Sequence, residues 1–337
     1  MDRLEFAKRL NSLAIPEDAP NVEVQVKMRP VSEALTHMMP TQLFRYRLCN
    51  DLQIEAFRND IIYCVTADNF NDPYDTLITY DLEGIRKGLE AMMSYDAFNQ
   101  SLDWLKKGGD FPDILKRFMP DVFNDNVKSL MSQVQNTKDA RDEIDRRKTN
   151  LLAMIETYFP VLSEITKKFS TIACFSEKIS SVLMWSHYTD SHKGFALEYN
   201  FRPVYKTFKS NVGLYPVIYG ERRKDYSMYL TWAFFKFLGF NVINPDITMA
   251  IKTALNKSKL WEYEQEWRMI DFSVRDFRDS TPSEIIQKPV AIYYGGHISK
   301  ERKRELHLIA KEKRIPEYEM YVDYSSPLYE MKYRPSV

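Results

Sequence analysis

The chain has 337 residues, of which 44% are hydrophobic and 28% are charged, so it can bury a sizeable core and is not intrinsically disordered. Lysine plus arginine equals aspartate plus glutamate at 47 each, which argues against a globally basic nucleic-acid-binding domain but leaves a local basic patch open. Only 10 glycines are present, with no GxGxxG and no GxxxxGK[ST], which argues against Rossmann and P-loop nucleotide sites.

Cysteine usage and hydropathy indicate the compartment. Cys49, Cys64 and Cys174 are odd in number and far apart, so we expect neither a disulfide framework nor a structural zinc site. No run is long and apolar enough to span a bilayer, and the N-terminus lacks the apolar stretch of a signal peptide. The sequence therefore predicts a cytoplasmic protein.

The first predicted element is an amphipathic helix over residues 2–14, where apolar side chains recur at three- and four-residue spacing. Pro16 and Pro20 follow this helix, and the stretch after them is polar. We therefore expect residues 1–40 to form an N-terminal helix and an extended arm.

Short β-rich runs and helical patterns alternate along the rest of the chain. Strands are predicted at LFRYRL, IIYCVT, STIACFS, GFALEYN, LYPVIYG, EWRMIDF, PVAIYYGG and YEMYVDY. Helices are predicted at DLQIEAFRND, MYLTWAFFKFLGF, TMAIKTALNKSKLWEYEQ and KERKRELHLIAKEKR. These elements predict an α/β (α+β) fold with a mixed sheet, formed by residues 41–80 and 169–337. Residues 81–168 show helical spacing throughout, and we expect them to form a large helical insertion.

The first candidate site feature is a pair of arginines in the first predicted strand. Arg45 and Arg47 are two residues apart, so a strand would place them on one face. Arginine in a cleft grips phosphate or carboxylate through two parallel hydrogen bonds. The alternative is an edge strand with exposed cations.

The second feature is the loop NDPYD, which follows a predicted strand. Asn-Asp-Pro favours a turn, in which the side chains of Asn71 and Asp72 cap nearby backbone groups. The two carboxylates of the loop, Asp72 and Asp75, also suit a ligand site. Turn architecture alone is the alternative.

The third feature is the dense polar-aromatic run MWSHYTDSHKG, together with the preceding segment CFS. It brings Trp185, His187 and Tyr188 close in sequence, and histidine is the natural acid or base at neutral pH. A serine or cysteine hydrolase is conceivable, but the sequence has no GxSxG motif. A zinc site would need a third ligand nearby, and the segment has none of the right type. The alternative is an aromatic corner of the core with structurally satisfied histidines.

The fourth feature is the segment WEYEQEWR. In a strand, Glu264, Glu266 and Arg268 share one face, and two carboxylates on one face repel unless one is protonated or both meet a cation or a sugar hydroxyl. The alternative is a surface strand with a Glu-Arg ion pair.

These four motifs, in this order, resemble a mostly bacterial family known as domain of unknown function 2971. The matching segments are LFRYR, FNDPYD, ACFSE, MWSHYTDSHKG and WEYEQEWR, the last with Lys257 four residues before its first tryptophan. The resemblance covers most of residues 43–300, but it implies no activity.

A second resemblance is to ADP-ribosyltransferase domains, whose opening order of strand, helix and strand is similar. It implies that Arg47, with Arg45 as the alternative, grips NAD, and that Ser176 matches the second motif of those domains. It further implies that Glu266 is the late catalytic glutamate and Glu264 its partner. Here CFS replaces the usual Ser-Thr-Ser.

The expected chemistry is cleavage of the bond between ribose and nicotinamide, with NAD as substrate and no metal. That reaction passes through a state resembling an oxocarbenium ion, which a carboxylate stabilises. We expect the catalytic groups Glu266, Glu264 and His187 to lie around one pocket with the binding groups: Arg47, Arg45, Ser176, Trp185, Tyr188, Asn71, Asp72, Asp75 and Arg268.

By analogy of class, the expected role is a toxin or anti-phage effector. Its partners would be a nucleotide, a protein or nucleic-acid acceptor and a partner or antitoxin protein, with no membrane. One alternative is a non-catalytic module that binds a nucleotide or nucleic acid. Another is a hydrolase or nuclease that uses His187, Asp72 and Asp75.

Overall fold

The structure, a computed structural model, describes residues 2–96, 99–100, 103, 107, 137–168, 170–205, 211–273, 278–279 and 281–336. The helices are α1 Arg3–Ser12, α2 Asn21–Met38, α3 Asp51–Arg58, α4 Leu82–Met92, α5 Thr137–Thr166, α6 Val182–Tyr188, α7 Ser227–Phe237, α8 Met249–Leu255 and α9 Lys300–Lys313. The strands are β1 Leu43–Arg47, β2 Ile61–Thr66, β3 Thr171–Ser176, β4 Phe195–Tyr199, β5 Val212–Pro216, β6 Ile218–Gly220, β7 Asn256–Ser258, β8 Glu266–Asp271, β9 Ser283–Ile286, β10 Ala291–Tyr294, β11 Glu317–Val322 and β12 Met331–Pro335. Short 3₁₀ helices cover Ala67–Asn69 and Lys259–Glu264.

One large sheet organises these elements, and it confirms the mixed α/β fold class. Its strands follow the order β12-β11-β10-β4-β1-β3-β2-β9, and β8 and β5 extend it from β3. Most neighbours are antiparallel, while β10 and β11 are parallel and joined by α9. β6 and β7 form a separate parallel pair.

The sheet splits along one edge of β3. Strand β8 pairs with β3 along its whole length, from Thr171 to Ser176. On the opposite edge, β2 pairs with Thr171 and Ile172, whereas β1 pairs only with Ser176. In the described ladder, the middle of that edge therefore has neither strand as a partner, and β1 and β2 separate there.

The core packs against both faces of the sheet. Phe6, Leu35, Phe57 and Leu306 bring α1, α2, α3 and α9 onto the largest hydrophobic cluster. A second cluster, which includes Trp185 from α6, packs around β1, β4 and β10. Trp185 is fully buried in this second cluster, which fixes α6 beside the split in the sheet.

The expected extended arm after Pro20 is wrong, because residues 21–38 form helix α2. Pro30 lies inside this helix, where proline removes one backbone donor. Burial of Val31, Ala34 and Leu35 against the core offsets that cost.

The expected helix through TMAIKTALNKSKLWEYEQ is also wrong beyond its first turns. Helix α8 ends at Leu255, and β7 and a 3₁₀ helix follow. The edge strands β9 and β12, which pair with β2 and β11, and the short helix α6 were not predicted.

Within residues 81–168, the described elements are α4 and α5, which pack with α7 in a separate hydrophobic cluster around Phe159. The stretch 108–136 of the expected insertion lies outside the described residues. The proposed domain division stays a prediction. Among the described helices, none combines the length and hydropathy required to cross a membrane.

Candidate functional site

A cavity of about 280 Å³ opens where β1 and β2 separate, and we call it the split cavity. It is lined by Phe44, Arg45, Tyr46, Arg47, Val65, Asn69, Phe70, Asn71, Asp75, Ile172, Cys174, Phe175, Met184, Tyr188, Lys257, Glu264 and Glu266. Residues from all four sequence motifs therefore meet at one place in the fold.

Arg45 crosses the split in the sheet. Its Nη2 donates a 2.5 Å hydrogen bond to the carbonyl of Tyr63 in β2, and its guanidinium lies 5.4 Å from the ring centre of Phe175. The side chain is buried, with 6% of its surface exposed. Within the described structure, Nε and Nη1 have no hydrogen-bond partner.

None of the groups that most affect the pKa of Arg45 is a carboxylate. Burial lowers the pKa of Arg45, and the neighbours that oppose this effect are Cys64, Tyr199 and Cys174. A buried cation with two unpaired N–H directions is costly unless an anion binds it. The part of the split cavity lined by Arg45 and Arg47, which we call the cation wall, is therefore suited to an anionic ligand. Arg47 lines the same cavity and is half-buried, with a long 3.4 Å contact to the carbonyl of Tyr46.

Another part of the lining, which we call the carboxylate wall, carries two buried glutamates, Glu264 and Glu266, held by one lysine. Lys257 Nζ lies 2.5 Å from Glu264 Oε2 and 2.9 Å from Glu266 Oε2. The intervening Gln265 adopts a left-handed conformation with φ +48° and ends the 3₁₀ helix before β8 starts. This single turn of the backbone lets both carboxylates reach the same ammonium, although Glu264 is not in the strand.

Arg268 and Asp75 complete this buried network. The Arg268 guanidinium makes a two-pronged contact with Asp75, at 2.8 and 2.6 Å, and its Nε donates to Glu266 Oε1 at 2.8 Å. Burial acts to lower the pKa of Arg268, but Asp75 and Glu266 hold it well above its usual value. The NDPYD loop is thereby locked onto β8, and Arg268 serves the network without lining the cavity.

The environment separates the two glutamates electrostatically. Burial raises the pKa of Glu264, although Lys257 acts in the opposite direction. Burial also acts to raise the pKa of Glu266, but Arg268 and Lys257 outweigh it and hold that pKa well below its usual range. A pair of carboxyl groups with pKa values driven apart is the arrangement that assigns one group to proton transfer and the other to charge stabilisation.

Tyr188 reaches Glu264 from the end of α6. This helix begins where the Ser181 side chain accepts a hydrogen bond from the backbone N–H of Met184. The Tyr188 hydroxyl donates a 2.5 Å hydrogen bond to Glu264 Oε1, and Asn71 Nδ2 lies 3.5 Å from that hydroxyl oxygen. Burial raises the pKa of Tyr188, so its hydroxyl stays protonated and acts as a donor.

Besides Arg268, four of the predicted site residues do not line the cavity. Ser176 is buried, and its Oγ donates to the backbone carbonyl of Glu264 at 2.6 Å, so it positions the backbone of that residue. Trp185 is fully buried and donates its Nε1–H to the carbonyl of Ile179 at 2.7 Å. Both are core residues.

The other two are His187 and Asp72. His187 is exposed, with its ring centre 6.5 Å from that of Trp261. Asp72 caps the NDPYD turn by accepting a hydrogen bond from the backbone N–H of Tyr74 at 2.9 Å. The expected group of His187, Asp72 and Asp75 therefore does not line one cavity, since only Asp75 lies on the wall.

Sequence reasoning missed the role of Lys257. Its position four residues before Trp261 was part of the family pattern, but a lysine in an apparent helix carries no sign of burial. The structure shows it almost fully buried, with its ammonium also 5.2 Å from the Trp261 ring centre. Among the described residues, no group of three or more histidine, cysteine or acidic side chains is placed to hold a metal ion.

Comparison with known proteins gives one match. Residues 184–269 match a family described as protein of unknown function (DUF2971), which confirms the first resemblance over that segment. The matched segment contains Tyr188, Lys257, Glu264 and Glu266 but not the cation wall. No curated protein and no solved structure matches the chain, so the resemblance to ADP-ribosyltransferases stays a prediction.

Proposed function

We propose that this chain cleaves the bond between ribose and nicotinamide in NAD, and passes the ADP-ribose to water or to another acceptor. One observation carries the proposal. Two buried carboxyl groups with opposite pKa shifts, Glu264 and Glu266, line the same cavity as a buried arginine whose guanidinium has no counter-ion among the described residues.

The cation wall supplies the grip on the substrate. Arg45 would bind the diphosphate through its unpaired Nε and Nη1 groups, which are enclosed and would reach the ligand once the side chain shifts into the cavity. Arg47 would be the more exposed second cation. The volume of about 280 Å³ is at the small end of ligand cavities, which typically span ~300–1,000 Å³. The split cavity would therefore enclose the reacting part of NAD and leave the adenosine outside.

The carboxylate wall supplies the chemistry. Nicotinamide leaves as a neutral base and takes the electron pair of the broken bond, so positive charge develops on the ribose. Glu266, held ionised by Arg268 and Lys257, would stabilise that charge. Glu264, whose raised pKa brings it closer to neutrality, would accept the proton of the attacking water or acceptor.

Release of nicotinamide by the purified protein tests the proposal. We expect Glu266→Gln to lower the rate by about 10²–10³-fold, the usual effect of losing one preorganised electrostatic contact. Glu262→Gln is the matched control, because it makes the same chemical change at an exposed neighbouring residue outside the cavity. Thermal melting of each variant shows whether it folds. Wild-type protein that releases no nicotinamide, or a Glu266→Gln variant that equals wild type, would end the proposal.

A binding module without catalysis is the second candidate, and one observation favours it. Both oxygens of Glu266 already contact cations, with Oε1 near Arg268 and Oε2 near Lys257. A carboxylate so engaged has fewer lone pairs free for a ribose hydroxyl. NAD binding that raises the melting temperature without any nicotinamide release would support this candidate.

The proposed biological role is that of a toxin or anti-phage effector, by analogy with other enzymes that consume NAD. Induced expression should then slow growth and lower cellular NAD, and Glu266→Gln should abolish both effects. Slow growth that is equal for the two proteins would argue against an NAD-based toxin.

A further inference from the structure

A second cavity of about 400 Å³ shares Lys257 with the split cavity. Its wall combines cationic and aromatic side chains, and we call it the basic cavity. The side chains that matter here are Tyr74, Arg222, Arg223, Lys224, Lys257 and Trp261.

The cations of the basic cavity exceed the carboxylates available to match them. Arg223 Nη2 donates to the backbone carbonyls of Leu77 and Ile78, at 2.8 and 2.7 Å. These neutral acceptors fix the position of the guanidinium but do not neutralise its charge. Lys224 likewise donates to a neutral acceptor, the side chain of Asn11.

Nearby acidic groups do not remove this excess. Two acidic residues also line the cavity, Asp72 and Glu221. Asp72 accepts a hydrogen bond from the backbone N–H of Tyr74, and the carboxylate of Glu221 lies 3.4 Å from Lys259. In the part of the chain that the structure describes, no hydrogen bond or ion pair engages the exposed Arg222 guanidinium. The chain as a whole has a formal net charge of zero, so this is a local concentration of positive charge.

Flat aromatic faces accompany these charges. Tyr74 has 62% of its surface exposed, and the Arg223 guanidinium lies 5.6 Å from its ring centre. Trp261 is half-buried, and the Lys257 ammonium lies 5.2 Å from its ring centre. Cations that track a phosphate backbone, interleaved with aromatic rings on which bases stack, characterise sites for single-stranded nucleic acid.

We infer that the basic cavity binds a single strand of nucleic acid, with phosphates on Arg222 and Lys224 and a base against Tyr74 or Trp261. The assignment rests on the proposed function in one respect, since it makes the strand the acceptor of ADP-ribose. In the transfer, a hydroxyl oxygen or base nitrogen of the strand bonds to the ribose carbon as the bond to nicotinamide breaks. The proton of that nucleophile passes to Glu264.

Fluorescence anisotropy with a short labelled DNA strand, and with RNA of the same sequence, tests binding without requiring NAD. We expect wild-type protein to bind the strand and to lose affinity as salt rises, because phosphate contacts release counter-ions. Arg222→Glu should weaken binding about tenfold or more, while Arg304→Glu, the same change at an exposed arginine of α9, should not. Trp261→Ala should weaken binding by about 5- to 100-fold, the usual range for loss of one stacked base.

Transfer is measured separately, with biotin-labelled NAD and the same strand. Label on the strand with wild type, and its loss in Arg222→Glu while nicotinamide release continues, would support the inference. No strand binding, or equal binding by wild type and Arg222→Glu, would overturn it. Binding of poly-glutamate in place of the strand would also overturn it, in favour of an acidic protein partner. A wild type that binds the strand but releases no nicotinamide would refute the proposed function and leave the nucleic-acid site supported.

Discussion

Replacement of Arg45 by methionine separates the stability of the fold from the function of the site. Arg45→Met keeps the unbranched apolar stem and removes the buried guanidinium. The protein loses the hydrogen bond to the Tyr63 carbonyl, which as a charged bond contributes about 1.5–3 kcal/mol. It also loses a desolvation penalty of several kcal/mol for a buried ion that no carboxylate matches.

These terms nearly cancel, so the free energy of unfolding of the ligand-free variant should lie within about 1 kcal/mol of wild type, or above it. Binding should respond very differently. Loss of two charge-assisted hydrogen bonds to a diphosphate should raise the dissociation constant for NAD about 10²-fold or more, since each tenfold step is about 1.4 kcal/mol.

Denaturant unfolding measures the first quantity, and the NAD-induced rise in melting temperature measures the second. Arg304→Met is the matched control, because it removes an exposed arginine from α9. A loss of more than about 3 kcal/mol in the ligand-free variant would show that Arg45 is well compensated in the fold and would refute the reasoning. Unchanged affinity for NAD would refute its role as the anion grip.

Three further predictions concern the carboxylate wall. Activity should fall as pH decreases through the raised pKa of Glu264. Tyr188→Phe should move this fall in activity to higher pH, because the variant lacks a hydrogen bond that favours the ionised form of Glu264. pH–rate profiles of wild type and variant check this. Since the pKa of Glu266 is depressed on folding, its contribution to stability is present above the ordinary glutamate pKa of 4.5 and is lost as pH falls below that value. The free energy of unfolding of Glu266→Gln should therefore depend less on pH in the acid range than that of wild type. Parallel pH dependences of the two proteins would contradict this. Gln265→Gly should raise the free energy of unfolding by about 0.5–1 kcal/mol, because glycine tolerates φ +48° without a Cβ clash; a destabilised variant in denaturant titration would contradict the assignment of strain.

The sequence predicted most strands because their patterns are local. Runs such as IIYCVT and STIACFS are β-rich and bounded by turn residues, and the structure places β2 and β3 there. The edge strands β9 and β12 escaped because their burial patterns carry little hydrophobic signal. Helix α2 escaped because its stability comes from packing against the core, which a local reading of its prolines does not include.

The candidate site was predictable in its polar groups but not in its pairings. Glu264, Glu266 and Asp75 were singled out by residue type, yet the assumption of one continuous strand gave the wrong reason for the proximity of the two glutamates. The left-handed turn at Gln265 and the buried lysine decide the geometry, and neither leaves a mark at the level of spacing. For the arginines, strand alternation placed Arg45 and Arg47 on one face, but only the split in the sheet makes Arg45 the buried one.

The split in the sheet also has a mechanical consequence. Strands β1 and β4 belong to one leaf and β2 and β9 to another, and within the described ladders the two leaves are joined through β3. Few backbone bonds resist a change in the angle between them, and the Arg45 contact with Tyr63 is the side-chain tie across the opening. A ligand that draws the guanidinium away would release that tie while bridging the leaves itself. Ligand binding at Arg45 would therefore act directly on the contact between the two leaves.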